Sequence, residues 1–179
     1  MKRIVFFFIG FFYSAASLYA QQVDNYHQDT TTLYQWVKGF STDPIRSKWR
    51  QKLKKEEDLW TLYLFDKKDV LQERIPFADK ELLERKGAYR LYQNGQIKEE
   101  GAYDKGYKVG EWKYYYPKGQ LYQIINYTWD KIGSKKLFYK DGKLALDEVY
   151  NRSGNLEIGK YFDEQGKAVD LSYVKKALN

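Results

Sequence analysis

The sequence predicts an all-β protein: an extended antiparallel β-meander of tandem hairpins, preceded by a signal peptide and a short N-terminal helix. Aromatic residues make up 18% of the 179 residues, tyrosine alone occurs 18 times, and such side chains favour the half-buried faces of a sheet. Thirteen glycines against three prolines suit many strands that are joined by glycine turns. Glycines and aromatic runs also recur together at a regular interval, which indicates a repeat.

The N-terminal segment 1–20, MKRIVFFFIGFFYSAASLYA, is predicted to be a signal peptide. Lys2 and Arg3 precede an apolar core from Ile4 to Phe12, and small residues lead up to Ala20. Cleavage after Ala20 would place the mature protein in the periplasm or cell envelope, or release it as a secreted protein. An uncleaved anchor is the alternative, although serines interrupt the apolar stretch and a spanning helix needs about 20 residues.

Residues 21–58 are predicted to form a polar leader followed by a basic helix over residues 43–57. Asp43 suits the N-cap, Pro44 suits the first helical position, and Ile45, Trp49 and Leu53 recur every four residues. Six basic residues precede the first acidic one: Arg46, Lys48, Arg50, Lys52, Lys54 and Lys55. Two interpretations stay open, because the apolar stripe could cap the repeats and the basic face could contact an anionic membrane or an acidic partner.

Residues 59–171 are predicted to contain about four and a half hairpin repeats, and residues 172–179 a C-terminal tail. One set of glycines follows the aromatic runs at nearly equal intervals: Gly95, Gly119, Gly142 and Gly166. A second set opens each unit, and its last interval is slightly longer than the two before it: Gly87, Gly110, Gly133 and Gly159. With further glycines halfway between them, a turn comes about every 12 residues, so each repeat is two strands and two turns.

The turn residues support hairpins. Asn94-Gly95 and Asp141-Gly142 are dipeptides that tight hairpin turns favour, because both central residues need a positive φ. In the first and weakest unit, Asp69 takes the place of the turn glycine. In the third unit the midpoint turn is predicted within WDKIG, residues 129–133, with a displaced glycine.

Alternation along the strands places aromatic side chains on one face of the predicted sheet. Trp112, Tyr114 and Tyr116 share that face, and Trp129 and Tyr139 follow in the same sense after the next turns. One interpretation is that these rings are scaffold, since wide rings across neighbouring strands can replace a thick core. The other is that these five residues are anchors for a partner protein.

The segment EEGAYDKGYKVGEWKYYYPKGQL, residues 99–121, resembles the MORN repeat variant of bacterial proteins. Its units read as an aromatic run, Asn-Gly or a similar pair, a basic strand and then Y-x-x-G-x-x-x-G-x-W, and GSKKLFYKDGKL at residues 133–144 fits the second half. The resemblance implies an extended antiparallel meander without catalytic residues at the repeat positions. It also implies two roles, since some members are labelled antitoxin components of toxin–antitoxin modules and the family name refers to membrane occupation and recognition.

The sequence offers little material for catalysis. His27 is the only histidine and there is no cysteine, which argues against Ser-His-Asp chemistry, cysteine nucleophiles and His or Cys metal sites. Acidic pairs such as those in residues 98–100 lie beside lysines and turns, as is typical of solvated charge. The sequence therefore predicts no enzymatic activity, no catalytic residue, no cofactor and no metal site.

The function that the sequence favours is a non-enzymatic, exported scaffold that binds another protein through an aromatic sheet face. An antitoxin or immunity protein, and a protein that binds a membrane surface through the basic helix, are the alternatives. The formal net charge of +7 would suit an acidic protein or an anionic membrane. Export argues against nucleic acid as a partner, and the oligomeric state stays open.

Overall fold

The computed structural model describes residues 30–36, 39–41 and 49–178. Within them the chain forms twelve strands and one helix. The strands are β1 (Thr30–Trp36), β2 (Gly39–Ser41), β3 (Trp49–Glu56), β4 (Leu59–Phe65), β5 (Leu71–Phe77), β6 (Gly87–Gln93), β7 (Gln96–Asp104), β8 (Tyr107–Tyr115), β9 (Leu121–Thr128), β10 (Lys131–Phe138), β11 (Leu144–Tyr150) and β12 (Leu156–Tyr161). The helix is α1 (Leu171–Leu178). The predicted signal peptide, residues 1–20, lies outside the described residues.

All twelve strands belong to one antiparallel sheet. From β3 to β12 each strand pairs with the next one along the chain, so these ten strands form a meander. β1 pairs with the outer side of β3, and β2 pairs with the outer side of β1. The predicted all-β meander of successive hairpins is therefore confirmed, and it begins at β3 rather than at residue 59.

The predicted helix over residues 43–57 is wrong for Trp49–Glu56, which forms β3 between β1 and β4. Residues 43–48 lie outside the described residues. A spacing of four residues fits one face of a strand as well as one face of a helix, because it is twice the strand period of two. Leu53 enters the core with 1% of its surface exposed, and Arg50, Lys52 and Lys54 occupy the alternate positions of the strand.

The turns lie at two ends of the strands. We call one the A end, formed by residues 66–69, 94–95, 116–119, 139–142 and 163–166. We call the other the B end, formed by residues 57–58, 78–86, 105–106, 129–130 and 151–154. From residue 94 onward a turn follows about every 12 residues, as the glycine spacing predicts.

The turn chemistry is confirmed at two positions and differs at two others. Asn94 and Gly95 both have positive φ, 53° and 77°, and Asp69 has φ 64° in the place of a glycine. At residues 139–142 only Gly142 has positive φ, because the turn has four residues and closes through the Gly142 N–H to the Tyr139 carbonyl at 2.9 Å. The third midpoint turn uses no glycine: Trp129 and Asp130 adopt φ 51° and 62°.

One face of the sheet, which we call the core face, carries two hydrophobic clusters. The first consists of Leu53, Trp60, Leu62, Ile75, Phe77, Tyr89, Tyr103 and Trp112, with Leu82 of the 78–86 loop packed against it. The second consists of Tyr139, Ala145, Leu146 and Val174, the last contributed by α1. The sequence predicts only a C-terminal tail over residues 172–179, where α1 lies. Leu171, Val174 and Leu178 are spaced as on one face of a helix, and this face covers the second cluster.

Candidate functional site

Backbone hydrogen bonds join two B-end turns, at residues 105–106 and 129–130, to the hairpins before them. The Gly106 N–H donates to the Arg85 carbonyl at 2.9 Å, and the Asp130 N–H donates to the Lys108 carbonyl at 3.0 Å. The Asp130 carboxylate also accepts the Lys108 N–H at 2.6 Å. Neighbouring hairpins are therefore closed against one another at these two junctions.

The next junction is built differently. Among the described residues, the turn at residues 151–154 makes no corresponding backbone bond to β10 and closes on itself instead. The Asn151 N–H donates to the Asn155 carbonyl and the Gly154 N–H to the Asn151 carbonyl, both at 2.9 Å. The Asn151 side chain also accepts the Ser153 and Asn155 N–H groups, each at 3.0 Å. This junction falls within the lengthened last interval of the unit-opening glycines.

A groove lies between the turn at residues 129–130 and the turn at residues 151–154. Its volume is about 610 Å³. The side chains that shape it are Trp129, Lys131, Ile132, Tyr150, Asn151 and Arg152. A longer turn in one repeat thus leaves a recess where the two junctions before it are closed, and insertions in repeat proteins commonly serve binding.

Exposed apolar side chains continue along the same end of the sheet. We call Tyr107, Trp129, Ile132 and Leu156 the B-end strip; their exposed fractions are 49%, 45%, 37% and 48%. The Tyr107 and Trp129 rings meet edge to face with centroids 5.7 Å apart, so Trp129 is held in place on one side. On its other side Trp129 borders the groove. Exposed aromatic rings that are already ordered lose little conformational entropy on binding.

Basic side chains surround the strip. Lys105, Lys131 and Arg152 are exposed, and the Lys105 ammonium lies 5.8 Å from the Trp129 ring centroid. None of the three forms an ion pair with another described residue. By contrast, Lys113 pairs with Glu111 at 3.1 Å. The groove therefore presents positive charge that the described part of the chain does not neutralise.

Behind the strip, a lysine is enclosed by aromatic rings of the core face. The Lys108 ammonium lies 3.8 Å from the Trp112 ring centroid and 3.0 Å from the Glu99 carboxylate. It also lies 3.3 Å from the Tyr114 hydroxyl. Burial, and then the hydrogen bond with Tyr114, raise the pKa of Tyr127 to about 12. This cluster is internal structure, and its cation is already paired.

The five aromatic residues that the sequence singles out do not form one surface. Trp112 and Tyr139 are 0% and 5% exposed and belong to the two core clusters, so neither can touch a partner. Tyr116 and Tyr139 donate their hydroxyls to the Phe138 and Phe162 carbonyls at 3.0 and 2.7 Å. Tyr114 and Tyr116 are half-buried, and Trp129 alone of the five is well exposed.

The predicted basic surface is likewise divided. Arg46 and Lys48 lie outside the described residues. Arg50 pairs with Asp69, and its guanidinium lies 4.3 Å from the Phe65 ring centroid. Lys54 lies 3.7 Å from Glu56, whereas Lys52 and Lys55 extend from β3 and form no ion pair with another described residue. These side chains lie on a strand, so the basic helical face of the prediction is absent over residues 49–56.

Tyr107, Lys131, Ile132 and Arg152 are not among the residues that the sequence singles out. The longer interval between Gly133 and Gly159 contains Arg152 and marks the junction where the groove opens, but it carries no signal for Tyr107. Within the described residues, no group of three or more His, Cys, Asp or Glu side chains is placed to hold a metal ion. The same part of the chain contains no helix that is long and apolar enough to cross a membrane.

Comparison with known proteins identifies one family. The family model described as MORN repeat variant matches residues 108–128, which comprise β9, most of β8 and the turn between them. No curated protein matches the chain. Among solved structures, a crystal structure of a mutant of S. aureus TarM in complex with Fondaparinux, alpha-GlcNAc-glycerol and UDP is similar at 9% identity and a TM-score of 0.27, over 89% of this chain and 26% of that chain. The chain thus spans about a quarter of that protein's length, and this weak likeness supports no conclusion about fold or function.

Proposed function

We propose that this chain, which matches the MORN repeat variant over residues 108–128, is a non-enzymatic scaffold that binds another protein through the B-end strip and the adjoining groove. Trp129 is the observation on which the proposal depends. Its side chain is 45% exposed and borders the groove, whereas Trp60 and Trp112 are only 5% and 0% exposed. Tryptophan and tyrosine beside a concave surface are the residue types that most often dominate protein interfaces.

The rigidity of the surface supports binding rather than catalysis. The strip lies on paired strands and on a turn that two hydrogen bonds join to Lys108, so it is preorganised. Burial together with the hydrogen bond to Glu148 raises the pKa of Tyr150, which makes this groove side chain a poor general base.

The proposed site of action is outside the cytoplasm, and it rests on the N-terminal sequence alone. A toxin that acts in the cell envelope would be one suitable partner, since the resemblance implies antitoxin roles for some members of the family. Contact with a membrane through a basic helix is not part of the proposal, because residues 49–56 form β3.

Site-specific photo-crosslinking in the cells that produce the protein tests the proposal. We expect p-benzoylphenylalanine at position 129 to crosslink to one protein, and the same group at position 118, on an exposed turn of the A end, to crosslink to none. Trp129→Ala combined with Ile132→Ser should abolish co-purification of that protein without changing the thermal unfolding transition. Crosslinks to lipid only, or equal capture at both positions, would contradict the proposal.

A further inference from the structure

We infer that the groove holds an acidic segment of the partner protein, with carboxylates on Lys131 and Arg152 and an apolar side chain on Trp129 and Ile132. The inference rests on the proposed function and adds the chemistry of the partner. It concerns the groove between residues 129–130 and 151–154, where the backbone hydrogen bond that closes the two preceding junctions is not made by the described residues.

The apolar part of the groove favours an apolar side chain of the partner, because such a side chain is buried from water on binding. Trp129 and Ile132 remain 45% and 37% exposed, and Tyr150 stands beside them on the neighbouring strand. The Tyr150 hydroxyl donates to the Glu148 carboxylate, so the ring keeps a fixed orientation. An aliphatic or aromatic side chain of the partner would bury these surfaces together, and burial of apolar area favours association.

The charged part of the groove selects carboxylates. Lys131, at the start of β10, and Arg152, in the turn at residues 151–154, are both exposed and border the groove. Neither forms an ion pair with a described acidic residue. Lys136, which lies on the same strand as Lys131, does have a partner, because its ammonium is 3.9 Å from the Asp147 carboxylate. Arginine offers two parallel N–H groups to a carboxylate, which adds geometric specificity to the charge.

The shape of the groove favours a polypeptide over a membrane. Two turns border it, and residues of both turns and of β10 and β11 line it together. An extended chain can enter between the turns, place alternate side chains toward the floor and direct the others toward the cations. An acidic peptide with apolar residues at alternate positions has both properties.

Fluorine NMR and calorimetry on the full chain test this inference. The protein is labelled with 5-fluorotryptophan, and the Trp129 resonance is assigned with Trp129→Phe. The probe is the peptide Glu-Asp-Leu-Glu-Leu-Asp-Glu, and its matched control carries Gln and Asn in place of Glu and Asp. We expect the acidic peptide to shift the Trp129 resonance, the control peptide to leave it unchanged, and the binding to weaken as salt is raised.

Two charge variants locate the binding. Lys131→Gln with Arg152→Gln should weaken acidic-peptide binding by about tenfold or more. Lys118→Gln with Lys140→Gln changes the net charge equally at the A end and should leave the affinity within about twofold. Equal weakening by both variants, binding of the control peptide, or a response to inorganic phosphate or phosphatidylglycerol vesicles without a response to the peptide would overturn the inference.

The outcomes also separate the two proposals. If position 129 crosslinks to a protein but Lys131→Gln with Arg152→Gln does not reduce its capture, the acidic-segment inference fails and the scaffold function stands. If position 129 captures no protein, the scaffold function fails. The inference then fails with it, because the groove would have no protein partner to select.

Discussion

Trp112 packs directly on the backbone of Gly101, so that a Cβ atom on Gly101 would lie 2.2 Å from Cδ2 of the Trp112 ring. The ring also donates its Nε1–H to the Ala102 carbonyl at 3.1 Å. Tyr89 stacks on Trp112 with ring centroids 5.5 Å apart, and Tyr103 meets it edge to face at 5.0 Å. The most buried ring of the repeat therefore requires a glycine on the neighbouring strand.

Gly101→Ala should destabilise the protein by about 1–3 kcal/mol, because the added methyl group must displace a ring that is packed on all sides. Chemical denaturation monitored by tryptophan fluorescence measures the loss. Gly133→Ala is the matched control, since its nearest new contact, the Asn126 carbonyl oxygen, lies at 3.6 Å. Equal stability of the two variants would show that Trp112 can move without cost.

Lys108→Met should cost about 1–3 kcal/mol of unfolding free energy, since it leaves the Glu99 carboxylate without its cation. The double variant with Glu99→Gln should recover part of the loss, and a double-mutant cycle measures the coupling between the two side chains. Lys113→Met is the control. It removes an ion pair whose side chains are 41% and 48% exposed, and it should change stability by less than about 0.5 kcal/mol.

The free energy of unfolding should fall in acid, because the Glu148 carboxylate becomes protonated. Burial raises the pKa of Glu148, but hydrogen bonds from Lys135 and Tyr150 outweigh it, so the pKa lies below its ordinary value of 4.5. A carboxyl group whose pKa is lower in the folded chain stabilises the fold above its unfolded pKa, and this contribution is lost as the pH falls through the folded pKa.

We therefore expect the free energy of unfolding to decrease below about pH 4.5, and to do so less steeply in Glu148→Gln. The measurement is urea denaturation between pH 3 and 7. Near neutral pH the variant should also be less stable, because the Lys135 ammonium loses the carboxylate at 2.7 Å. Glu111→Gln, on an exposed ion pair, serves as the comparison, and identical pH profiles for all three proteins would refute the assignment.

Tyr116→Phe and Tyr139→Phe should each cost about 1 kcal/mol, because each removes a hydroxyl that donates to a carbonyl of a later hairpin. Thermal unfolding measures both. Tyr107→Phe is the control, since its ring is 49% exposed and its hydroxyl has no hydrogen-bond partner among the described residues. A loss as large in the control would mean that the two hydroxyl bonds contribute nothing specific.

The hairpin architecture could be predicted from the sequence because its turns are local. Asn94 and Gly95 need only their own backbone preferences to form a tight turn, and Asp69 can replace glycine because aspartate tolerates positive φ. The strand at residues 49–56 could not be told from a helix, because Trp49 and Leu53 satisfy both periodicities. Pairing with β1 and β4 decides between them, and a short segment does not reveal its neighbours.

The candidate site could be predicted only in part. Trp129 was identified, but its exposure follows from a turn in which Trp129 and Asp130 both adopt positive φ, a conformation that no glycine marks. The role of Trp112 as core depends on the close approach to Gly101, which alternation alone does not give. Arg152 lines the groove because β11 lies next to β10 in the sheet. The residue type of Arg152 does not reveal which strands are neighbours.

The length of a B-end turn, rather than the identity of any single amino acid, decides whether neighbouring hairpins are joined by a backbone hydrogen bond or leave a groove between them. At residues 151–154 the extra chain bends back on itself, while β11 still pairs with β10 on one side and, after a register shift at Val149/Tyr150, with β12 on the other. A small insertion can thus create a recess in such an array without disturbing the rings and hydrogen bonds that hold it together. Homologous arrays could gain or lose ligands by changing loop size alone.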